Sequence, residues 1–360
     1  MSQLSDLGIP LTIPALQQQY RVGELSPSGV VEAIVAELAA RGDDGIWIYA
    51  LPEKDLKARA RSLEQSADRA LPLLGIPFSV KDCIDVAGLP TSAGCPGFTS
   101  TATHATPAVQ NLLDAGAILI GKTNLDQFAT GLVGIRTGYT VPCNAFSKDH
   151  IPGGSSSGSA LSVAAGLVSF SIGTDTGGSG RVPAGFNNIV GLKPTKGVLN
   201  SAHTVEACKT LDCISIFALT AEDAQRVFQT AQRDDPSHPF FRPLGDPPQR
   251  LNAYHPKQSF QFGVPRLAQR EFFGNAEVES LYEQAIATLL ELGGTCVDVD
   301  YGPFLAANEL LFNGPWVAER YASVGRFVET SPEAVFPITR DILSKAKDIT
   351  AVEAFEGLYE

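Results

Sequence analysis

Two glycine- and serine-rich segments carry residue types able to do chemistry: IPGGSSSGSA at 151–160 and GTDTGGSGRVPAG at 173–185. A serine hydroxyl is a poor nucleophile until a base removes its proton, and a neutral lysine can be that base. Lys81 follows the alternating apolar residues Ile76, Phe78 and Val80. It therefore stands at the end of an expected buried strand, where α/β proteins place reactive groups. Its ordinary pKa of about 10.4 must fall for the neutral amine to be common near pH 7, and burial does this. Gly and Ser runs can also be flexible linkers. Here LSVAAGLVSFSI lies between them, and a linker is not expected inside a core.

Other chemistries are less well supported. GAILIGKT at 116–123 matches the spacing of a phosphate-binding loop, but its four middle residues, Ala117 to Ile120, favour a buried strand over an anion cradle. Ser179 lacks the second outer glycine of a nucleophile elbow, because Arg181 occupies that place. Ser344 and Lys347 form an SxxK pair in a segment that reads as an exposed helical face. None of His104, His150, His203, His238 and His255 lies in either Gly-rich segment. The six cysteines form no CxxC pair, so no metal or cofactor is expected and the thiols should be free in a reducing compartment. A formal charge of −12 disfavours nucleic acid and anionic lipid as partners and suits a small molecule. With no continuous apolar run of membrane length, a cytoplasmic protein is expected.

The elements that must position these residues alternate between two periods. Ser26 and Pro27 open a helix whose Val31, Ile34, Val35 and Leu38 fall on one face. Apolar runs at 46–50, 76–80 and 117–120 read as strands, with a helix opened by Thr106 and Pro107 before the last. The rhythm repeats over 158–173 and 220–232, and again where a helix over 278–292 precedes a strand over 296–299. This predicts an α/β fold with a mixed, mostly parallel sheet covered by helices on both faces in three layers. The Pro-rich stretch 233–256 reads as a surface excursion from one domain spanning 1–360. Thr350 and Glu353 form a capping box, and no stop signal follows it before Glu360, so the domain is expected to be incomplete at its C-terminus.

These segments resemble the amidase signature family, whose pattern is GGSS[GS]G, then GTDxGGS, with an upstream lysine in a PFSVKD-like strand. The chain has GIPFSVKD at 75–82, GGSSSG at 153–158 and GTDTGGS at 173–179, with further likeness in GKTNLDQFATG at 121–131 and VGLKPTKG at 190–197. The resemblance implies the amidase signature fold, Ser179 as nucleophile, Ser155 as proton relay after a cis peptide from Gly154, and Lys81 as base. It also implies an oxyanion hole from the amides around Thr176, Gly177 and Gly178. Ser156, Ser157 and Ser159 are expected to be scaffold, and Asp175 and Arg181 to hold the loop.

Within that family, GPWVAERY at 314–321 and PEAVFPITRDIL at 332–343 resemble the allophanate hydrolase branch, which takes ammonia from carboxylated urea. The resemblance implies Arg320 as the carboxylate ligand, a task suited to a planar guanidinium. The alternative is a helix-surface arginine paired with Glu319 or another acid. Phe312 stands eight positions before Arg320, where the branch has tyrosine, so a hydroxyl contact to substrate is expected to be missing. The expected partners are a small-molecule amide, a second copy in a homodimer, and a pathway link to urea carboxylase. Two other readings are a general amidase or amidotransferase A-type subunit, and an inactive truncated scaffold.

Overall fold

The computed structural model describes residues 8–66, 68, 70–233, 235–243 and 259–360. Among them the chain forms two compact units, one of 8–243 with 317–353 and the other of 259–316 with 354–360. Most of the excursion expected at 233–256 lies outside the described residues.

The first unit opens with α1 (Ile13–Val22) and α2 (Pro27–Arg41). Pro27 has no amide hydrogen to leave unsatisfied at the first helical position, and the Ser26 hydroxyl accepts from Gly29 N at 3.1 Å. There follow β1 (Trp47–Ala50), α3 (Glu53–Gln65), β2 (Pro77–Lys81), α4 (Pro107–Asp114), β3 (Ile118–Thr123), α5 (Ser157–Ala164), β4 (Phe170–Thr174), α6 (Arg181–Phe186), β5 (Val190–Leu192), β6 (Ile214–Ala218) and α7 (Ala221–Ala231). The strands form one mixed sheet in the order β1-β3-β2-β4-β6-β5. The central β3, β2 and β4 are mutually parallel, and β1 and β6 run against them. Antiparallel pairing to β6 returns β5 to the common direction.

Every residue of β2, β3, β4 and β6 is buried. Alternation along β2 gives its two faces different characters. Phe78 and Val80 join Phe170, Ile172, Val109, Leu112, Ala224 and Val227 in the apolar core, and the Phe78 and Phe170 rings stack at 5.1 Å. On the other face Ser79 Oγ lies 2.8 Å from Ser162 Oγ and 2.7 Å from Ser171 Oγ. The serines of α5 are thus buried but paired, as buried hydroxyls must be to offset lost hydration. Gly158 lets α5 sit this deep, because a Cβ there would overlap the Ile46 carbonyl oxygen and clash with Asn124 N. GAILIGKT is strand, not phosphate loop: Lys122 in β3 is buried, 3.4 Å from Asp82 Oδ1.

Helix α10 (Trp316–Thr330) begins at the last residue of the 259–316 segment, and from Val317 onward it belongs to the first unit. Its stripe Val317, Arg320, Val324 and Val328 is buried, and Phe327 meets Phe98 and Phe128 edge-on at 5.1 and 6.0 Å. After α11 (Pro337–Ser344), the Thr350 hydroxyl accepts from Glu353 N at 3.2 Å while Glu353 accepts from Thr350 N at 2.7 Å. This capping box opens α12 (Ala351–Tyr359). The second unit pairs β7 (Phe260–Pro265) in parallel with β8 (Gly294–Val299), connected through α8 (Ala276–Glu291), and continues into α9 (Gly302–Asn313). Among the described residues, no helix is long and apolar enough to cross a membrane.

Candidate active site

Strand β2 delivers Lys81 into a fully buried position, where its Nζ donates to Ser155 Oγ at 2.8 Å and to Thr174 Oγ1 at 2.7 Å. Burial pushes the Lys81 ammonium below its ordinary pKa, against the opposing pull of Cys83, Asp126, Asp212 and Asp175. Such an amine can accept a proton, and its contact with a hydroxyl gives that proton a path. Sequence reasoning misses Thr174 as a Lys81 partner. Its side chain closes the distance across two paired strands, and a register of that kind leaves no spacing signal in a sequence.

The segment bearing Ser155 is held from both sides. The Gly154–Ser155 peptide is cis. Ser155 O accepts from Asp126 N at 3.1 Å, and Ser156 N donates to Ser179 O at 3.3 Å. The Asp126 carboxylate accepts from the amides of Val133, Gly134 and Arg136, at 3.2, 2.9 and 2.9 Å. Gly154 permits this approach, since a Cβ on it would overlap Asp126 Oδ2. Ser156 stands at the start of α5 and donates to Thr174 O at 3.1 Å, while Ser159 lies 2.8 Å from Thr123 Oγ1. Both hydroxyls are therefore engaged in scaffold.

Ser179 is 3% exposed and ends a loop organised by Asp175. That carboxylate accepts from Gly178 N at 2.8 Å, Gly180 N at 3.1 Å and Arg181 Nε at 2.9 Å, and Lys193 Nζ lies 3.2 Å away. Burial by itself would raise its pKa; the hydrogen bonds and charge of Arg181, with the charge of Lys193, outweigh burial and hold the carboxyl well below the usual range. The Gly178 amide is thus turned toward Asp175. Among the described residues, no protein acceptor takes the amides of Thr176 and Gly177. Ser179 N is likewise without a protein acceptor among the described residues, so these three amides are the donors the loop has available to a developing oxyanion.

Behind the loop, the Thr176 hydroxyl donates to the buried Asp212, which also accepts from Ala207 N at 2.8 Å and Cys208 N at 3.1 Å. Burial pushes the Asp212 carboxyl up, opposed by these hydrogen bonds and by the charge of Arg320. In comparison with known proteins, residues 30–354 match the Amidase family.

The chain belongs to the Amidase family.

Among its relatives, the urea amidolyase of Saccharomyces cerevisiae is 42% identical over 322 residues, which are 88% of this chain and 17% of that protein. The A-type subunit of the glutamyl-tRNA(Gln) amidotransferase of Chloroflexus aggregans is 35% identical over 302 residues, 80% of this chain and 60% of that one. A solved structure of Kluyveromyces lactis allophanate hydrolase superimposes with a TM-score of 0.87 at 38% identity, covering 95% of this chain and 56% of that one. The chain therefore spans less than two thirds of each of these relatives.

In this chain, the fold sets Lys81 against Ser155, ties the next residue, Ser156, to Ser179 O, and carries Thr176, Gly177 and Gly178 on the loop that ends at Ser179. Arg320 is in the same unit at 5% exposure, close enough to Asp212 and Cys208 to act on both electrostatically. It is not a surface arginine. Its sequence neighbour Glu319 bonds elsewhere, accepting from Thr210 N at 2.9 Å and Thr210 Oγ1 at 2.7 Å. Phe312 lies on α9, in the second unit. Sequence reasoning also misses Asp126, Lys193 and Asp212, although the first two lie inside segments that carry the resemblance.

Proposed function

We propose that this chain hydrolyses the terminal amide of allophanate through an acyl-enzyme, with Ser179 as nucleophile, Ser155 as proton relay and Lys81 as base. The observation that carries the reading is the 2.8 Å contact from Lys81 Nζ to Ser155 Oγ at a site where burial lowers the lysine pKa. Ser155 gives its proton to Lys81 as it takes the proton of Ser179 Oγ, which attacks the carbonyl carbon. The amides of Thr176 and Gly177 stabilise the oxyanion. Collapse breaks the C–N bond, the proton returns through Ser155 to the nitrogen, and ammonia leaves. Water then adds to the acyl-serine by the same relay and releases N-carboxycarbamate.

The substrate assignment rests on Arg320, whose buried guanidinium suits a small carboxylate, and on the likeness to the K. lactis allophanate hydrolase. Release of ammonia from allophanate, compared with acetamide and glutamine, tests it. Preference for allophanate supports the reading. Preference for glutamine favours an amidotransferase-type role, preference for acetamide a general amidase, and inactivity on all three a noncatalytic scaffold.

A further inference from the structure

One short segment touches both the helix that carries Arg320 and the loop that carries Ser179. At Thr210, the backbone N–H and the hydroxyl both donate to the Glu319 carboxylate, at 2.9 and 2.7 Å. Two residues on, Asp212 accepts the Thr176 hydroxyl, and the same carboxylate takes the amides of Ala207 and Cys208. Leu211 N and Asp212 N donate to Cys208 O at 2.9 and 2.8 Å, making 208–212 a tight turn with little freedom to stretch. The turn therefore has α10 at one end and the oxyanion loop at the other.

At the far end of α10, Phe327 packs on Phe98 and Phe128. Just beyond the helix, Gln127 Oε1 accepts from Phe336 N at 2.7 Å and Gln127 Nε2 donates to Ala334 O at 3.3 Å. These contacts fix the C-terminal half. Near the N-terminal end, Glu319 makes a two-point contact to the loop one residue before Arg320. A long side chain that must meet a small carboxylate in one geometry gains from a backbone fixed next to it.

We propose that Glu319 is a positioning residue for substrate selection: its two-point hold on Thr210 sets the height of Arg320 relative to the Thr176 loop. This rests on the assignment of Arg320 as the carboxylate ligand. Glu319 touches no reacting atom, so its loss should weaken recognition of a carboxylate and leave turnover of a neutral amide unchanged. Glu319→Gln keeps an acceptor for the Thr210 donors, whereas Glu319→Ala removes both contacts.

The test uses the 360-residue chain and two readouts. In turnover, Glu319→Ala should raise KM for allophanate about tenfold with kcat within about twofold, and Glu319→Gln should restore most of that loss. Acetamide kinetics should not change in either variant. In binding, titration with malonate, a dicarboxylate of similar length, should show Kd about tenfold weaker for Glu319→Ala, with Thr210→Val intermediate. Equal malonate affinity in wild type and Glu319→Ala overturns the proposal, as does an equal fall in kcat on allophanate and acetamide. If wild type binds malonate and Glu319→Ala loses it while neither cleaves allophanate, the proposal stands and the assigned reaction fails.

Discussion

Lys81 Nζ lies 2.8 Å from Ser155 Oγ, and neither residue has any exposed surface. A charged lysine in that position would be poorly solvated, with two hydroxyl groups as its hydrogen-bond partners. The contact therefore favours an amine that gives up its proton easily, which is the property a base needs.

The proposed mechanism makes neutral Lys81 the base, so kcat/KM should rise with pH on the acid limb, with a midpoint below the ordinary lysine value because burial lowers it. Lys81→Met should lose activity by about 1000-fold or more and show no such limb. A full acid limb surviving in Lys81→Met would assign it to another group.

The same shift has a consequence for stability. The folded Lys81 pKa lies below the unfolded one, so between the two the unfolded chain binds more protons and stability rises with pH. Lys81→Met should therefore raise Tm more at pH 6 than at pH 10. Melting curves at both values measure it.

Asp175 works in the opposite sense. Its folded pKa is depressed, so the stability it contributes is present above the ordinary carboxylate range and is lost as pH falls toward the folded value. Asp175→Asn leaves Arg181 and Lys193 without their carboxylate, but both cations keep contact with water, so the loss should cost about 1–2 kcal/mol at pH 7. The deficit should shrink in acid, which urea unfolding at pH 7 and pH 3 would show.

Arg320→Lys retains charge but loses the planar fork. KM for allophanate should rise about tenfold or more, and acetamide turnover should hold within about twofold. Equal effects on both amides would move Arg320 from recognition to structure.

The legible parts of the fold are those written in local patterns. Ser26 with Pro27, the alternation that ends at Lys81, the apolar middle of GAILIGKT and the capping box at Thr350 each fix a conformation within a few residues, and each has that conformation in the folded chain. The pairing of β6 against β4 is less accessible, because a buried strand such as ISIFA carries no mark of its direction. Within the site, Thr174 reaching Lys81 and Thr176 reaching Asp212 join residues 93 and 36 positions apart. Only the folded register brings such pairs together. Asp126 shows the same limit: its carboxylate serves a neighbouring loop, a role that its residue type alone does not specify.

The most direct test of the central claim is single-turnover mass spectrometry of the 360-residue chain mixed with allophanate, beside the Ser179→Ala variant. The wild type should release ammonia and carry a covalent adduct on the peptide containing Ser179, and a folded Ser179→Ala chain should give neither product. Full ammonia release by Ser179→Ala, or an adduct on a different residue, would contradict that claim.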